Sequence, residues 1–335
     1  MTVIRTAIFG CGAVTNVLYI PALQEVRDEL ELVGVADLNL ENAKSLLKEF
    51  PGARSFTNYD ELLAELRPDA VIVALPHCLH KSASVDAMRM GANVFCEKPM
   101  AVDSHECDEI ELAANETGRV FAVNLLRRQF PSVRAIKRLV ESQALGAPRA
   151  FEITEGAPYQ WPAMSFSVFD RKISGGGVLI DSGVHLLDLL QWWLGQIGVV
   201  EFLDDAELNG VECDCVATVT AGKARGSLRM SRSVALPNVY RLEFDRGWIE
   251  WDHDDGSRFR FSSGGQEVVG AEVQCDERWA SGSRFIYALT KQLRNFVRAC
   301  RREAMEGVVT ASEARKSVDA ITECYANRKS LIFAP

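Results

Sequence analysis

Asp181, His185 and Asp188 stand at helical spacing in the stretch 174–195, with Trp192 next in line. At about 100° per residue the four share a stripe roughly 60° wide, and Leu186, Leu187, Leu190, Trp193 and Leu194 fill the opposite side. Flanks this apolar predict a mostly buried helix. Each ionisable group buried with it must be paired or must titrate away from its charge. Asp181 and His185 lie one turn apart, about 6 Å along the axis, so both reach one small polar molecule. A carboxylate beside an imidazole suits proton transfer, and it equally suits a histidine held inside a core. The glycines 175–177 form the entry to this helix and Gly195 its stop.

A second candidate is Glu97-Lys98-Pro99, directly after an apolar run at 93–96. A lysine at a strand end is either a solvated charge or an aimed one. The proline after it fixes the backbone and allows a cis bond, which suits aiming. A third is Gly10-Cys11-Gly12-Ala13-Val14-Thr15, set between a strand at 3–9 and a helical pattern from Leu18 to Val26. There Gly10 allows a tight turn and Gly12 lets the backbone approach a pyrophosphate, while the helix N-terminus offers N–H groups and its positive dipole end. Thr15 occupies the third glycine position of that fingerprint. Asp37 ends the next strand, 25 residues beyond Gly12, near the spacing of the carboxylate that binds adenosine ribose hydroxyls. A carboxylate there repels a 2′-phosphate, and Leu38 adds no cation to attract one. This favours NAD over NADP. The plain alternative is an Asp that caps the helix at 40–50, a role Asn39 also fits.

The elements around these residues alternate. Strands are predicted at 30–36, 70–75, 93–96 and 120–124, and helices at 40–50, 58–66, 82–90 and 104–116, the last capped by Ser104. Short apolar strands alternating with helices predict an α/β, doubly wound parallel sheet, in which ligands sit beyond the strands' carboxyl ends. Pro76, His77, His80 and Lys98 all fall just beyond such ends. His77 and His80 show no third or fourth ligand nearby, so a loop against the cofactor fits them better than a zinc site.

After Asn124 the pattern changes. A helix at 133–140 and a strand at 148–154 precede an aromatic loop, Tyr159-Gln160-Trp161. Beyond the central helix, β-type runs at 200–203, 215–220, 224–231, 240–245, 248–251 and 258–261 carry tight-turn signals such as Asp255-Gly256. They predict an α+β domain with a large, mostly antiparallel, open sheet. Helices at 284–300 and 312–329 close the chain. The expected division is a Rossmann domain over 1–123 and a substrate and oligomerisation domain over 124–335, with the last helix free to pack back on the first.

Bulk properties set the outer bounds. The 335 residues exceed one compact core, and 47% hydrophobic with 25% charged is ordinary for a globular protein. A net charge of -9 recommends neither a nucleic-acid partner nor an anionic membrane. Nine cysteines, the closest pair being Cys213 and Cys215, read as reduced thiols. No signal peptide or bilayer-length apolar run is evident, so a cytoplasmic location is expected.

Taken together these motifs resemble the Gfo/Idh/MocA family. They are Gly10-Cys11-Gly12, Pro76 with His80, Glu97-Lys98-Pro99, Arg128 ahead of Phe130-Pro131, and Gly175-Gly176-Gly177 leading to Asp181, Gly183, His185 and Asp188. Leu75 stands where that family often has Thr. The resemblance implies NAD(P)-dependent hydride transfer at a secondary alcohol of a sugar, aminosugar, nucleotide sugar or cyclitol, with Lys98, Asp181 and His185 as catalytic set. It further implies a homodimer or homotetramer built on the open sheet. Cofactor contacts are then expected from Gly10, Cys11, Gly12, Ala13, Val14, Asp37, Leu75, Pro76, His80 and Glu97. Substrate contacts are expected from Asn124, Arg128, Tyr159, Trp161 and Arg171 besides the catalytic set, with no metal. On this reading His185 accepts the hydroxyl proton, Lys98 stabilises the oxygen, and Asp181 orients the substrate or Lys98. Asp188 either holds the second nitrogen of His185 or belongs to a local network. Besides a metal-dependent hydrolase on a similar sheet, which full activity in a chelator would exclude, two other functions fit the same residues. One is reduction of an imine, enone or dihydrodiol with Lys98 as acid, and the other is a non-catalytic NAD-sensing regulator.

Overall fold

The structure is a computed structural model that describes residues 2–162, 166–206, 210–272 and 283–331. The chain divides into two compact units. The first comprises Met1–Leu126, Pro162–Ser167 and Phe285–Arg315, and the second Arg127–Trp161, Val168–Arg284 and Lys316–Pro335.

In the first unit the strands are β1 (Ile4–Phe9), β2 (Leu30–Ala36), β3 (Arg54–Phe56), β4 (Ala70–Val73), β5 (Asn93–Cys96) and β6 (Phe121–Val123). All pair in parallel, in the order β3-β2-β1-β4-β5-β6. This is the predicted doubly wound sheet. The order reverses between β1 and β4, which opens a crevice beyond their carboxyl ends. Fully buried strands such as β4, Ala70–Val73, are apolar on both faces because helices cover both. The helix Arg284–Cys300 belongs to this core. Its Leu289, Leu293, Phe296 and Val297 recur at helical spacing and pack with Ile4, Ile8, Leu32, Ile72 and Phe95.

Side-chain caps set the helix starts. Asn39 Oδ1 accepts from Glu41 N–H, and Asn58 Oδ1 accepts from Asp60 N–H. For the helix Ser104–Thr117 the cap is Asp103, which accepts from Glu106 N–H, and not Ser104 as the sequence suggested. Asp103 sits in extended backbone, as a cap must, whereas Ser104 is already helical.

Among the described residues the second unit holds nine strands: β7 (Pro148–Gly156), β8 (Ile197–Asp204), β9 (Asp214–Ala221), β10 (Ala224–Ser231), β11 (Val239–Phe244), β12 (Gly247–Asp252), β13 (Arg258–Ser263), β14 (Gln266–Glu272) and β15 (Arg328–Ser330). Their order is β14-β13-β12-β11-β7-β10-β9-β8-β15. Only β7 with β10 and β8 with β15 run parallel; the other pairs are antiparallel. β9 and β11 alternate buried and half-buried residues, the signature of a sheet with one covered face. The closing helix ends at Ala326, and residues 328 and 329, read from sequence as its last turn, belong with Ser330 to the edge strand β15.

The apolar stretch Arg171–Leu194 is long and apolar enough to cross a membrane by length and composition, contrary to the expectation from sequence, and 72% of its apolar window is buried within the fold. Its leucines fill the second unit's core. All eight cysteines among the described residues are free thiols.

Candidate functional site

The turn after β1 is built from the glycines outward. Gly10 has φ +94°, and a Cβ there would lie 2.3 Å from Ala74 O, so only glycine fits where β1 and β4 part. Thr15 is accommodated because its Oγ1 donates to Gly10 O at 2.7 Å and closes the turn. Asn16 Nδ2 donates to the carbonyls of Cys11 and Gly12, both at 2.8 Å. A Cβ at Gly12 would meet nothing within 4 Å, which leaves the backbone approachable beside half-buried Ala13 and Val14. An open glycine at a helix start is the cradle a dinucleotide pyrophosphate requires.

Asp37 follows β2 and reaches across to this turn. Its Oδ2 accepts from Cys11 N–H at 2.8 Å, and its Oδ1 accepts from Asn39 N–H at 2.8 Å and Asn42 Nδ2 at 3.1 Å. Asn39, not Asp37, caps the following helix. Burial, and then the Asp37 charge, push the Cys11 thiol up to about 12, so that residue is chemically inert.

Glu97 is the centre of a second, buried cluster. Its Oε1 accepts from Tyr19 Oη and from Asn124 Nδ2, each at 2.7 Å, and its Oε2 accepts from Lys98 N–H at 3.2 Å. Burial, followed by the Glu97 charge, drives the Tyr19 phenol well above its ordinary range. Asn124, expected from sequence to meet substrate, is buried and gives its amide to Glu97 instead. Half-buried Lys98 therefore leaves from a fixed base, with the Lys98–Pro99 peptide in the cis form.

His80 also corrects an expectation. It is 0% exposed, with Nδ1 2.7 Å from Pro99 O and Nε2 2.8 Å from Leu75 O. Burial lowers its pKa, and the two carbonyls oppose that. It ties the end of β4 to the Lys98 loop rather than touching a cofactor directly. Leu75 and Pro76 keep surface beside it. The His77 ring lies 5.6 Å from the His80 ring. Among the described residues no group of three or more metal-ligating side chains is assembled.

In the second unit the central helix is not uniform. Leu179–Gly183 is π-helical and Val184–Leu194 is α-helical. A π turn shifts residues relative to the ideal stripe and often marks functional sites. Asp181 and His185 are half-buried, and Asp188 is buried. Asp188 belongs to a local network: its Oδ2 and Oδ1 accept from Arg128 Nε at 2.9 Å and Nη2 at 2.7 Å. Arg128, expected at the substrate, is thus held by this carboxylate, and its guanidinium stacks 5.2 Å over the Trp192 ring. Asp188 is thus part of the scaffold, which leaves Asp181 and His185 as the candidate chemical pair of the stripe.

Glu212, unmarked by any sequence pattern, anchors the start of this helix. Its Oε2 accepts from Gly177 N–H at 2.9 Å, and its Oε1 accepts from Leu179 N–H at 3.0 Å and Tyr325 Oη at 2.8 Å. The glycines serve this contact, because a Cβ on Gly177 would lie 1.9 Å from Glu212 O. Arg171 stacks 5.1 Å over the Tyr325 ring. Tyr159 lies beside Asp181: burial, then the Asp181 charge, raise its phenol, while Arg232 pulls the other way. Trp161 in the same loop is 41% exposed.

Comparison with known proteins agrees with this architecture. Residues 4–125 match the profile described as an oxidoreductase family with an NAD-binding Rossmann fold, and residues 133–250 match the GFO/IDH/MocA C-terminal domain. The chain is 30% identical over 193 residues to a D-glucoside 3-dehydrogenase of Escherichia coli (strain K12), covering 57% of this chain and 54% of that protein. It is 30% identical over 209 residues to a glucose-6-phosphate 3-dehydrogenase of Bacillus subtilis (strain 168), covering 61% and 57%. The chain thus spans about half the length of the curated relatives it matches. The crystal structure of the WlbA dehydrogenase from Bordetella pertussis, in complex with NADH and UDP-GlcNAcA, superposes with a TM-score of 0.81 at 20% identity, covering 97% of this chain and 96% of that one.

Proposed function

Because the chain belongs to the Gfo/Idh/MocA oxidoreductase family, we propose that it is an NAD-dependent dehydrogenase acting on a secondary alcohol, or its ketone, of a sugar, aminosugar, nucleotide sugar or cyclitol. The observation that carries this reading is the half-buried Asp181–His185 pair at a π-helical turn, on a helix whose next carboxylate is already neutralised by Arg128. The named relatives, dehydrogenases of a glucoside and of a sugar phosphate, support the substrate class.

The nicotinamide, when bound, supplies the hydride acceptor. His185, as a neutral imidazole, takes the hydroxyl proton. Lys98 donates a hydrogen bond to the same oxygen and stabilises its developing negative charge. Glu97, fixed by Tyr19 and Asn124, sets the backbone from which Lys98 extends. Asp181 orients the substrate. NAD is preferred over NADP because the Asp37 carboxylate, fixed at the glycine turn, repels a 2′-phosphate.

Reduction of NAD+ against a panel of free, amino, phosphorylated and nucleotide sugars and cyclitols tests the reading. Lys98→Ala and His185→Asn should each lower kcat by about 10²–10⁴ while NAD affinity stays within about threefold. NADP should bind more weakly than NAD in the same assay. Full turnover in Lys98→Ala would remove that residue from the mechanism.

A further inference from the structure

Arg232 is the most unusual charge in the second unit. It follows directly on β10 and is only 7% exposed. Its Nε, Nη1 and Nη2 are all buried and have no hydrogen-bond partner among the described residues. Among the described residues no salt bridge offsets it either. A fold does not retain a buried, unpaired cation for its own stability, because taking a charge out of water without a partner is costly. By contrast, the buried arginines Arg127 and Arg128 are each held by a carboxylate, Glu155 and Asp188.

The surroundings of Arg232 belong to the candidate site. Its guanidinium carbon lies 4.9 Å over the ring of Phe169, and the Tyr159 ring meets Phe169 edge-on at 5.3 Å. Arg232 O accepts from Tyr159 N–H at 2.9 Å. Asp181 and Arg232 both act electrostatically on the Tyr159 phenol, which puts the three in one electrostatic neighbourhood. A Cβ on Gly183 would lie 2.9 Å from Met230 Sδ, which presses the turn between Asp181 and His185 against the end of β10 that delivers Arg232.

We propose that Arg232 is the binding residue for an anionic group on the substrate, a carboxylate or a phosphate, so that the substrate is an acidic sugar derivative. The planar guanidinium, braced on Phe169, presents a fork of donors that matches either oxyanion. The other end of the same molecule then meets Asp181 and His185. This rests on the sugar dehydrogenase reading for the identity of the ligand, but the anion site itself does not.

Two measurements separate the claims. In the first, NAD+-loaded protein is titrated calorimetrically with inorganic phosphate, D-glucuronate, D-glucose 6-phosphate and D-glucose. Binding of at least one anion, weakened by about 100-fold in Arg232→Met and by about tenfold or more in Arg232→Lys, is expected. D-glucose should bind more weakly than the favoured anion. Preference for glucuronate over both phosphates identifies a carboxylate, and the reverse identifies a phosphate. The thermal midpoint of ligand-free Arg232→Met should equal or exceed that of the wild type, whereas an arginine needed only for the fold would lower it. In the second, the ratio of kcat/KM for anionic over neutral sugars should collapse in Arg232→Met. If neutral sugars are oxidised and no anion binds, the anion site is wrong and the dehydrogenase reading stands. If anions bind through Arg232 and nothing is oxidised, the reading of the reaction is wrong and the anion site stands.

Discussion

At the scale of single residues, the buried Arg127–Glu155 pair makes the protein acid-sensitive in a predictable way. Arg127 Nη1 and Nη2 donate to Glu155 Oε2 at 2.8 Å and Oε1 at 2.7 Å, and Tyr240 Oη donates to Oε2 at 2.6 Å. Burial pushes Glu155 up, but Arg127 outweighs it with help from His253 and Tyr240, and the carboxyl is held at about 2. His253 is pushed down to about 4, by burial first and by Arg127 next. Both folded values lie below the unfolded ones, so both groups stabilise at high pH and lose that contribution on acidification. His253 loses it as pH falls from about 6.5 towards about 4, and Glu155 as pH falls from about 4.5 towards about 2. Between pH 7 and pH 5 the histidine alone accounts for about 2 kcal/mol. Urea denaturation at those two pH values should show the loss in the wild type, and His253→Gln should shrink it by about that amount. An identical loss in the variant would sink this assignment. His80, also depressed, contributes in the same direction and remains in both proteins.

Among the elements, the central helix shows what local patterns reveal and what they conceal. Its apolar side, its glycine entry and its end at Gly195 are legible because each depends on neighbours within two turns. The π-helical stretch Leu179–Gly183 is not, and neither is Glu212, which arrives from a loop 33–35 residues away in sequence to cap it. The triple glycine reads from sequence only as the entry to this helix, and the structure adds its reason: Gly176 and Gly177 are required by the approach of Tyr325 and Glu212. β3 and β15 escaped for a related reason: three residues are too few to show a period, and Arg54-Ser55-Phe56 and Arg328-Lys329-Ser330 lack the continuous apolar run that marks the equally short β6. Glu212→Ala leaves Gly177 N–H, Leu179 N–H and Tyr325 Oη without their acceptor. It should destabilise the protein by about 3 kcal/mol in urea titration. Because Asp181 sits on the turn that Glu212 anchors, kcat should fall as well. Glu212→Gln, which keeps one acceptor oxygen and the side chain's shape, should recover part of both. Stability equal to wild type in Glu212→Ala would show that the helix start holds itself.

Over the whole molecule, the two sheets were legible because their periods differ: continuous apolar runs for the parallel one, alternation for the other. The site was legible only in part, since its residues come from distant positions whose pairing no period encodes. Tyr19, Glu97 and Asn124 join in one cluster across 105 residues, and Arg232 lies far from the aromatic loop it meets. The open sheet carries the last consequence. On β11, β12 and β13, Arg241 bonds Glu243 at 2.7 Å and Glu250 at 3.3 Å, Arg260 bonds Glu250 at 3.1 Å, and Arg241 lies 3.8 Å over the Trp248 ring. A half-buried tryptophan sandwiched by guanidinium groups, with Arg260 5.8 Å from the same ring, is the composition that association surfaces favour. Surface ion pairs of this kind contribute little to the stability of one chain, so this ladder suits self-association better than folding. We therefore expect a homodimer or homotetramer formed through this face. Sedimentation velocity at micromolar concentration should give a mass of two or four chains, and Trp248→Asp should reduce it to one. A wild-type protein that sediments as a single chain throughout that range would refute the interface, and a Trp248→Asp protein that stays associated would move it to another surface.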